Sequence, residues 1–360
     1  MARRQQGFTL IEILVVLSLL AVLMGLSVGF IIRAQSGNKL LLTTNSIAGQ
    51  LASARAQSYG NDTAYVLVRT TEAGATTVRS FRDRQVFAWP AEDFEKASET
   101  GFLDRAGDVE ISTDLGLEGR YAIFTPAGSI GLGDPPWLDF VDGFSIDCRL
   151  RPGGGGGTLF KKGDVFLVNV VQGGSGRLGI EAKIRLQHDE MGQGEGWYDV
   201  RTGVREAEMV PEWNAPLLAG RWHDVRIAYD RNVFTIHVDG ILYAIRSDRR
   251  NVMHLTDEEF VIGGGYEGGF DGLVISGIFE DDQDRFDVPE EVRHVTAAGT
   301  PAVGDLLIHF RNRSLDPLYH STPVQVWLRL DAGPNEDGPA RVVEVTLSGE
   351  TFVRRTEELQ

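Results

Sequence analysis

The stretch Gly7-Phe8-Thr9-Leu10-Ile11-Glu12 follows a short polar leader carrying Arg3 and Arg4, and it opens an apolar run that lasts to Ile32. Phe8 to Ile32 is 25 residues, which as a helix spans about 37 Å. That is enough to cross a hydrocarbon core of roughly 30 Å with some tilt. Glu12 lies inside the run. A carboxylate near a bilayer centre costs on the order of 2.5–3.5 kcal/mol, so its presence demands a reason. An ordinary secretory signal has a shorter apolar region with its small-residue cleavage site behind it. Here the small residue, Gly7, stands in front, so cleavage there would leave the hydrophobic segment on the mature chain.

GFTLIE behind a short basic leader resembles the class III signal of type IV prepilins and type II secretion pseudopilins. The resemblance covers only the N-terminus. It implies cleavage between Gly7 and Phe8 by a prepilin peptidase that also methylates the new N-terminus at Phe8. It also implies an assembly role for Glu12, one helical turn from the new amine. In a growing filament of pilin or pseudopilin subunits, that carboxylate would neutralise the amine of a neighbour and set its register. Arg3 and Arg4 should stay cytoplasmic, so the chain is expected to cross the inner membrane once, with its bulk on the periplasmic side and later in a filament there or at the cell surface. Gly25 and Gly29 permit close helix packing, but glycines are also common in membrane helices for other reasons.

The full chain has 360 residues and a formal net charge of −16. Residues 1–59 hold five Lys and Arg against Glu12 alone, a balance of +4, which leaves −20 for the rest. Phosphate contacts need Lys and Arg, so this balance argues against nucleic acid as a partner. The single cysteine, Cys148, has no partner for an internal disulfide. It alternates with Phe144, Ile146 and Leu150 and reads as a small core residue on a strand.

Beyond Ile32, the residues Leu40, Thr44, Ile47, Leu51, Ala54 and Ser58 recur at spacings of three and four, which predicts one helical stripe. Gly60-Asn61-Asp62 should stop the helix. Ala64 to Arg69 and Thr76 to Arg82 read as a hairpin closed by Glu72-Ala73-Gly74-Ala75. Leu306 to Phe310, Val324 to Leu330, Ala340 to Leu347 and Thr351 to Arg354 read as four more strands. The layout of a long helix with short strands resembles the pilin fold, and the last four strands resemble the C-terminal sheet of H-type minor pseudopilins.

Residues 120–280 carry many short strand patterns and glycines and little helical periodicity, which suggests a β-sandwich. In Gly220-Arg221-Trp222-His223-Asp224-Val225, Trp222, Val225, Ile227 and Tyr229 share one strand. After the turn Asp230-Arg231-Asn232, the residues Phe234, Ile236 and Val238 face inward on the next strand, which ends at Asp239-Gly240. This pair, Gly143-Phe144-Ser145-Ile146 before it, and Ile262-Gly263-Gly264 with Gly268-Gly269-Phe270-Asp271-Gly272 after it, resemble laminin-G-like or concanavalin-A-like jelly rolls.

The expected class is therefore α+β. A long N-terminal helix packs on a small antiparallel pilin-type sheet, interrupted by an all-β jelly-roll sandwich. The expected segments are a leader at 1–7, the helix at 8–59 with 8–32 transmembrane, the first head part at 60–115, the sandwich at 116–292 and the second head part at 293–360.

Catalytic carboxylates of a retaining glucanase alternate on one strand about 5–5.5 Å apart. No E-x-D-x-x-E pattern is present, so no enzyme activity is expected. Gly153 to Gly157 is a turn with no nucleotide-binding helix after it. His223 and His237 lack metal-ligand spacing. The best ligand candidate is the long loop His188 to Asn214 with Trp197, Tyr198 and Trp213, whose ring faces suit a glycan or protein ligand. The same rings would equally pack the loop onto the sandwich. Asp271 beside Gly272 is a weak calcium candidate, one carboxylate where calcium takes six to eight oxygens. Two roles stay open: a filament subunit with a recognition surface, or an exported carbohydrate-binding adhesin with the pilin part as its stalk.

Overall fold

The computed structural model describes residues 10–59, 63–92, 104–112, 119–172, 177–187, 196–202, 215–231, 233–247, 252–281, 285–331 and 337–355. The chain is mostly β, with one long helix, Leu10–Gln57. It divides into two compact units, residues 1–82 with 281–360 and residues 83–280.

In the first unit the helix runs for 48 residues, about 72 Å. All six residues of the predicted stripe, Leu40, Thr44, Ile47, Leu51, Ala54 and Ser58, are buried. Leu40, Ile47, Leu51 and Ala54 share a core with Val66, Val68, Ile308, Phe310, Val326 and Val343. A 3.6-residue repeat keeps such positions on one side of the helix, and burying that side is what holds it against the sheets. Side chains between residues 10 and 37 are mostly outside the description. Among the described residues, no helix is long and apolar enough to cross a membrane. The backbone of the apolar run from Leu10 to Ile32 is helical, but its side chains lie almost wholly outside the description.

Thr63–Thr70 pairs antiparallel with the start of Thr76–Trp89, in the register Thr70 opposite Thr76. The connecting turn has Gly74 at φ +84°, where glycine carries no penalty. On its other side Thr63–Thr70 pairs with Gly304–Arg311. The four C-terminal strands therefore do not form the one sheet that the resemblance to H-type minor pseudopilins implied. Val324–Asp331, Asp337–Val345 and Thr351–Arg355 join Val292–Val295 in a separate antiparallel sheet.

The second unit is a two-layer sandwich. One layer orders Ile241–Ser247, Val233–Val238, His223–Tyr229, Phe144–Pro152 and Gly268–Glu280, all antiparallel. The other orders Gly196–Arg201, Leu178–Gln187, Phe166–Gln172, Gly157–Lys162, Phe260–Gly263, Ser129–Gly131 and Asp104–Ala106. Alternate residues of each strand point into the shared core. Phe144 stands near its centre, with ring centroids 5.1 Å from Phe166 and 5.3 Å from Phe140.

The sandwich begins at residue 83 and ends at 280, wider at its start and narrower at its end than the expected 116–292. At the start, Phe87, Trp89 and Val109 belong to the sandwich core. At the end, Val292–Val295 pairs with Val324–Asp331 in the first unit. The strand Thr76–Trp89 runs from one unit into the other without a break, so no turn or linker marks the boundary.

Candidate functional site

Gly7 and Phe8 lie outside the described residues. Glu12 is on the helix, two residues from its first residue. Of the three ligand candidates, Trp213 also lies outside the described residues, and the other two part company. Trp197 and Tyr198 are neighbours on the strand Gly196–Arg201, not on a loop, and successive strand residues face opposite ways. Trp197 is 48% exposed, opposite Arg185 of the adjoining strand. Tyr198 is 1% exposed, stacked on Phe234 with the Arg246 guanidinium 4.3 Å above its ring. One surface can therefore use Trp197, while Tyr198 is committed to packing.

Asp271 sits at an irregularity in the pairing of Gly268–Glu280, just before Gly272 at φ +59°. Its carboxylate is 4.0 Å from the Arg149 guanidinium. Among the described residues no group of three His, Cys, Asp or Glu side chains is arranged to hold a metal ion. Cys148 is buried, and burial, aided by Asp147 and Asp224, pushes its thiol well above the usual range. Such a thiol is protonated and unreactive.

The conspicuous His223 has a structural partner that pattern reading missed. Its Nε2 accepts from the Leu218 amide at 3.0 Å, so the proton is assigned to Nδ1, 2.8 Å from Asp239 Oδ2. The other Asp239 oxygen accepts from the Asp224 amide at 2.9 Å. Trp222, expected on the same strand, precedes it and packs edge-on against Tyr121 at 5.0 Å. A second unforeseen cluster surrounds Lys162. Its ammonium is buried and lies 2.9 Å from both Asp134 and Asp139. Both sets of contacts are complete in themselves and hold loops to the sandwich.

The clearest functional signal is at the N-terminus. Residues 2–28 match the family described as the prokaryotic N-terminal methylation motif. The chain carries a prepilin-type N-terminus. That motif implies a membrane-anchored, exported protein, processed by a peptidase and assembled with pilin-type subunits.

No curated protein matches this chain by sequence. Among the solved structures that resemble it in part are the following three. Domain 4 of AbnA, an extracellular arabinanase from Geobacillus stearothermophilus, solved with arabinotriose, is 17% identical. The overlap covers 54% of this chain and 93% of that one, at a TM-score of 0.39. The binding domain of paraclostridial mosquitocidal protein 1 is 13% identical, over 72% and 74% of the two chains, at 0.37. The binding domain of botulinum neurotoxin DC, solved with SialylT, is 9% identical, over 75% and 72%, at 0.37.

Proposed function

We propose that this chain is a structural, non-catalytic subunit of a type IV pilus-like or type II secretion pseudopilus filament. It is stored in the bacterial inner membrane with its two units in the periplasm, and a prepilin peptidase cuts after Gly7 and methylates Phe8. The carrying observation is the methylation motif at residues 2–28. The helix supports the reading, because its stripe from Leu40 to Ser58 is buried in one unit while the apolar run lies at its other end. Glu12 then has the assembly role, since a carboxylate in that run is tolerable only with a cation beside it.

The test is the mature N-terminus. Co-expression with a prepilin peptidase should yield a chain beginning at N-methyl-Phe8, read by mass spectrometry. An uncut chain, or one cut behind the apolar run, would overturn the reading.

A second reading is favoured by one observation, the exposure of Trp197 beside Arg185 on a sheet surface. An exposed indole face beside polar groups suits a sugar ring. In that reading the sandwich is a carbohydrate-binding module and the filament part is its stalk. A glycan array on the full chain separates the two, because binding lost in Trp197→Ala and kept in wild type would favour the adhesin.

A further inference from the structure

At the far end of the helix, the first unit has an open groove of about 570 Å³. One wall is the helix, with Ala52 and Ala56 one turn apart and Arg55 between them. The other is the strand Thr351–Arg355, which contributes Thr351 and the exposed ring of Phe352. Arg313 lies at the end, from the turn between Gly304–Arg311 and Ser314–Leu315.

The arginines are held in place but not neutralised. Arg55 spends its Nε on the Arg313 carbonyl at 2.9 Å. The Arg313 amide donates to Ser58, and its guanidinium lies 4.7 Å above the Tyr59 ring, itself exposed. Among the described residues neither guanidinium has a carboxylate within 4 Å, Glu350 on the rim included. Elsewhere in the same unit, Arg69, Arg293 and Arg354 each pair with Asp or Glu. The backbone is also shaped for this end. Asn312 and Arg313 are at φ +50° and +62°, a turn whose second place usually falls to glycine. A Cβ on Gly349 would come within 2.4 Å of the Arg313 carbonyl and 3.1 Å of Arg55 Nε.

Two guanidiniums without a carboxylate among the described residues, beside exposed Tyr59 and Phe352, make the residue mixture enriched at interface centres. An extended acidic segment fits it. A carboxylate would take the arginine forks, where planar N–H pairs match its two oxygens, and an apolar side chain would lie on Phe352 and the alanines. The chain carries the matching charge itself. Residues 83–280 hold 33 Asp and Glu against 19 Lys and Arg, a balance of −14 out of −16.

We propose that this groove docks an acidic segment of the sandwich unit of a second copy of this chain. The proposal rests on the filament reading in that it needs neighbouring copies. In a filament it would join one subunit's helix end to the next subunit's sandwich.

The experiment uses the full chain in detergent, with a photo-cross-linking residue in place of Phe352 and a mixture of isotopically light and heavy copies. The expected product joins position 352 of one copy to an acidic peptide from residues 83–280 of another. Arg55→Gln with Arg313→Gln should lower its yield about tenfold, and raising salt from about 50 to about 500 mM should do the same. A circular dichroism melt within a few degrees of wild type keeps the double variant interpretable. Absence of a light–heavy product, a product with residues 1–82 or 281–360, or a yield indifferent to both charge and salt would each overturn the proposal. Methylation of Phe8 is scored separately, so a methylated chain without the cross-link fails this inference alone.

Discussion

His223 Nδ1 and Asp239 Oδ2 stand 2.8 Å apart at the open end of the hairpin formed by His223–Tyr229 and Val233–Val238. The same carboxylate accepts from the Asp224 amide, so one side chain ties the end of the second strand to the start of the first. Asp239 itself is at φ +51° and Gly240 at +75°, the backbone an Asp-Gly turn is suited to.

Asp239→Ala should therefore destabilise the sandwich by about 1–3 kcal/mol, since it leaves the buried His223 ring and the Asp224 amide without their acceptor. Asp239→Asn keeps an acceptor and tolerates the positive φ, so about half that loss is expected. Urea midpoints of the two variants check the ordering.

Lys162 gives an asymmetric prediction. Its side chain is only 4% exposed, whereas Asp134 and Asp139 are 32% and 36% exposed. Removing both carboxylates strands an ammonium in the interior and should cost about 3–5 kcal/mol. Lys162→Met leaves two carboxylates that water can reach, so the loss should be clearly smaller. Equal losses in thermal melts would contradict the burial argument.

The first unit should weaken in acid through its histidines. Burial, with a smaller contribution from nearby His320, lowers His309 to about 3. Burial also lowers His294 and His320. An unfolded histidine titrates near 6.5, so between that pH and about 3 the unfolded chain binds the proton and the folded one refuses it. The contribution is complete above about pH 6.5 and is lost as pH falls, at up to about 1.4 kcal/mol per pH unit for each such group. The His309 ring stacks on Tyr319 at 3.9 Å, so His309→Phe keeps the stack. That variant should reduce the drop in urea midpoint between pH 7.5 and pH 5.0.

Phe144 contacts Phe140, Phe166 and Phe234 from the middle of the sandwich. Phe144→Ala should cost about 3–5 kcal/mol, the loss of a ring plus the cavity it leaves. Glu12→Val should leave cleavage at Gly7 and overall stability unchanged while abolishing co-assembly with wild-type subunits, read by pull-down from membranes.

Local patterns were legible wherever one short-range rule governed them. The helical stripe from Leu40 to Ser58 was readable because a 3.6-residue period has one buried side. The hairpin at Glu72 to Ala75 and the inward face Phe234, Ile236, Val238 followed from turn chemistry and the two-residue period. The processing motif was readable because it acts as a linear signal, before any fold exists.

Tertiary structure decided what depends on residues far apart in the chain. It separated Gly304–Arg311 from the strands that begin at Val324, and it set the start of the sandwich inside the continuous strand Thr76–Trp89, which carries no mark in composition. It turned Tyr198 inward and left Trp197 out, a difference of one residue that an aromatic-rich stretch does not reveal. It brought Arg55 to Arg313 across 258 positions. Pairing partners and groove walls are chosen by the whole packed chain, because burial and hydrogen bonding are settled in three dimensions. The proposed membrane insertion and cleavage at GFTLIE would require only the local segment.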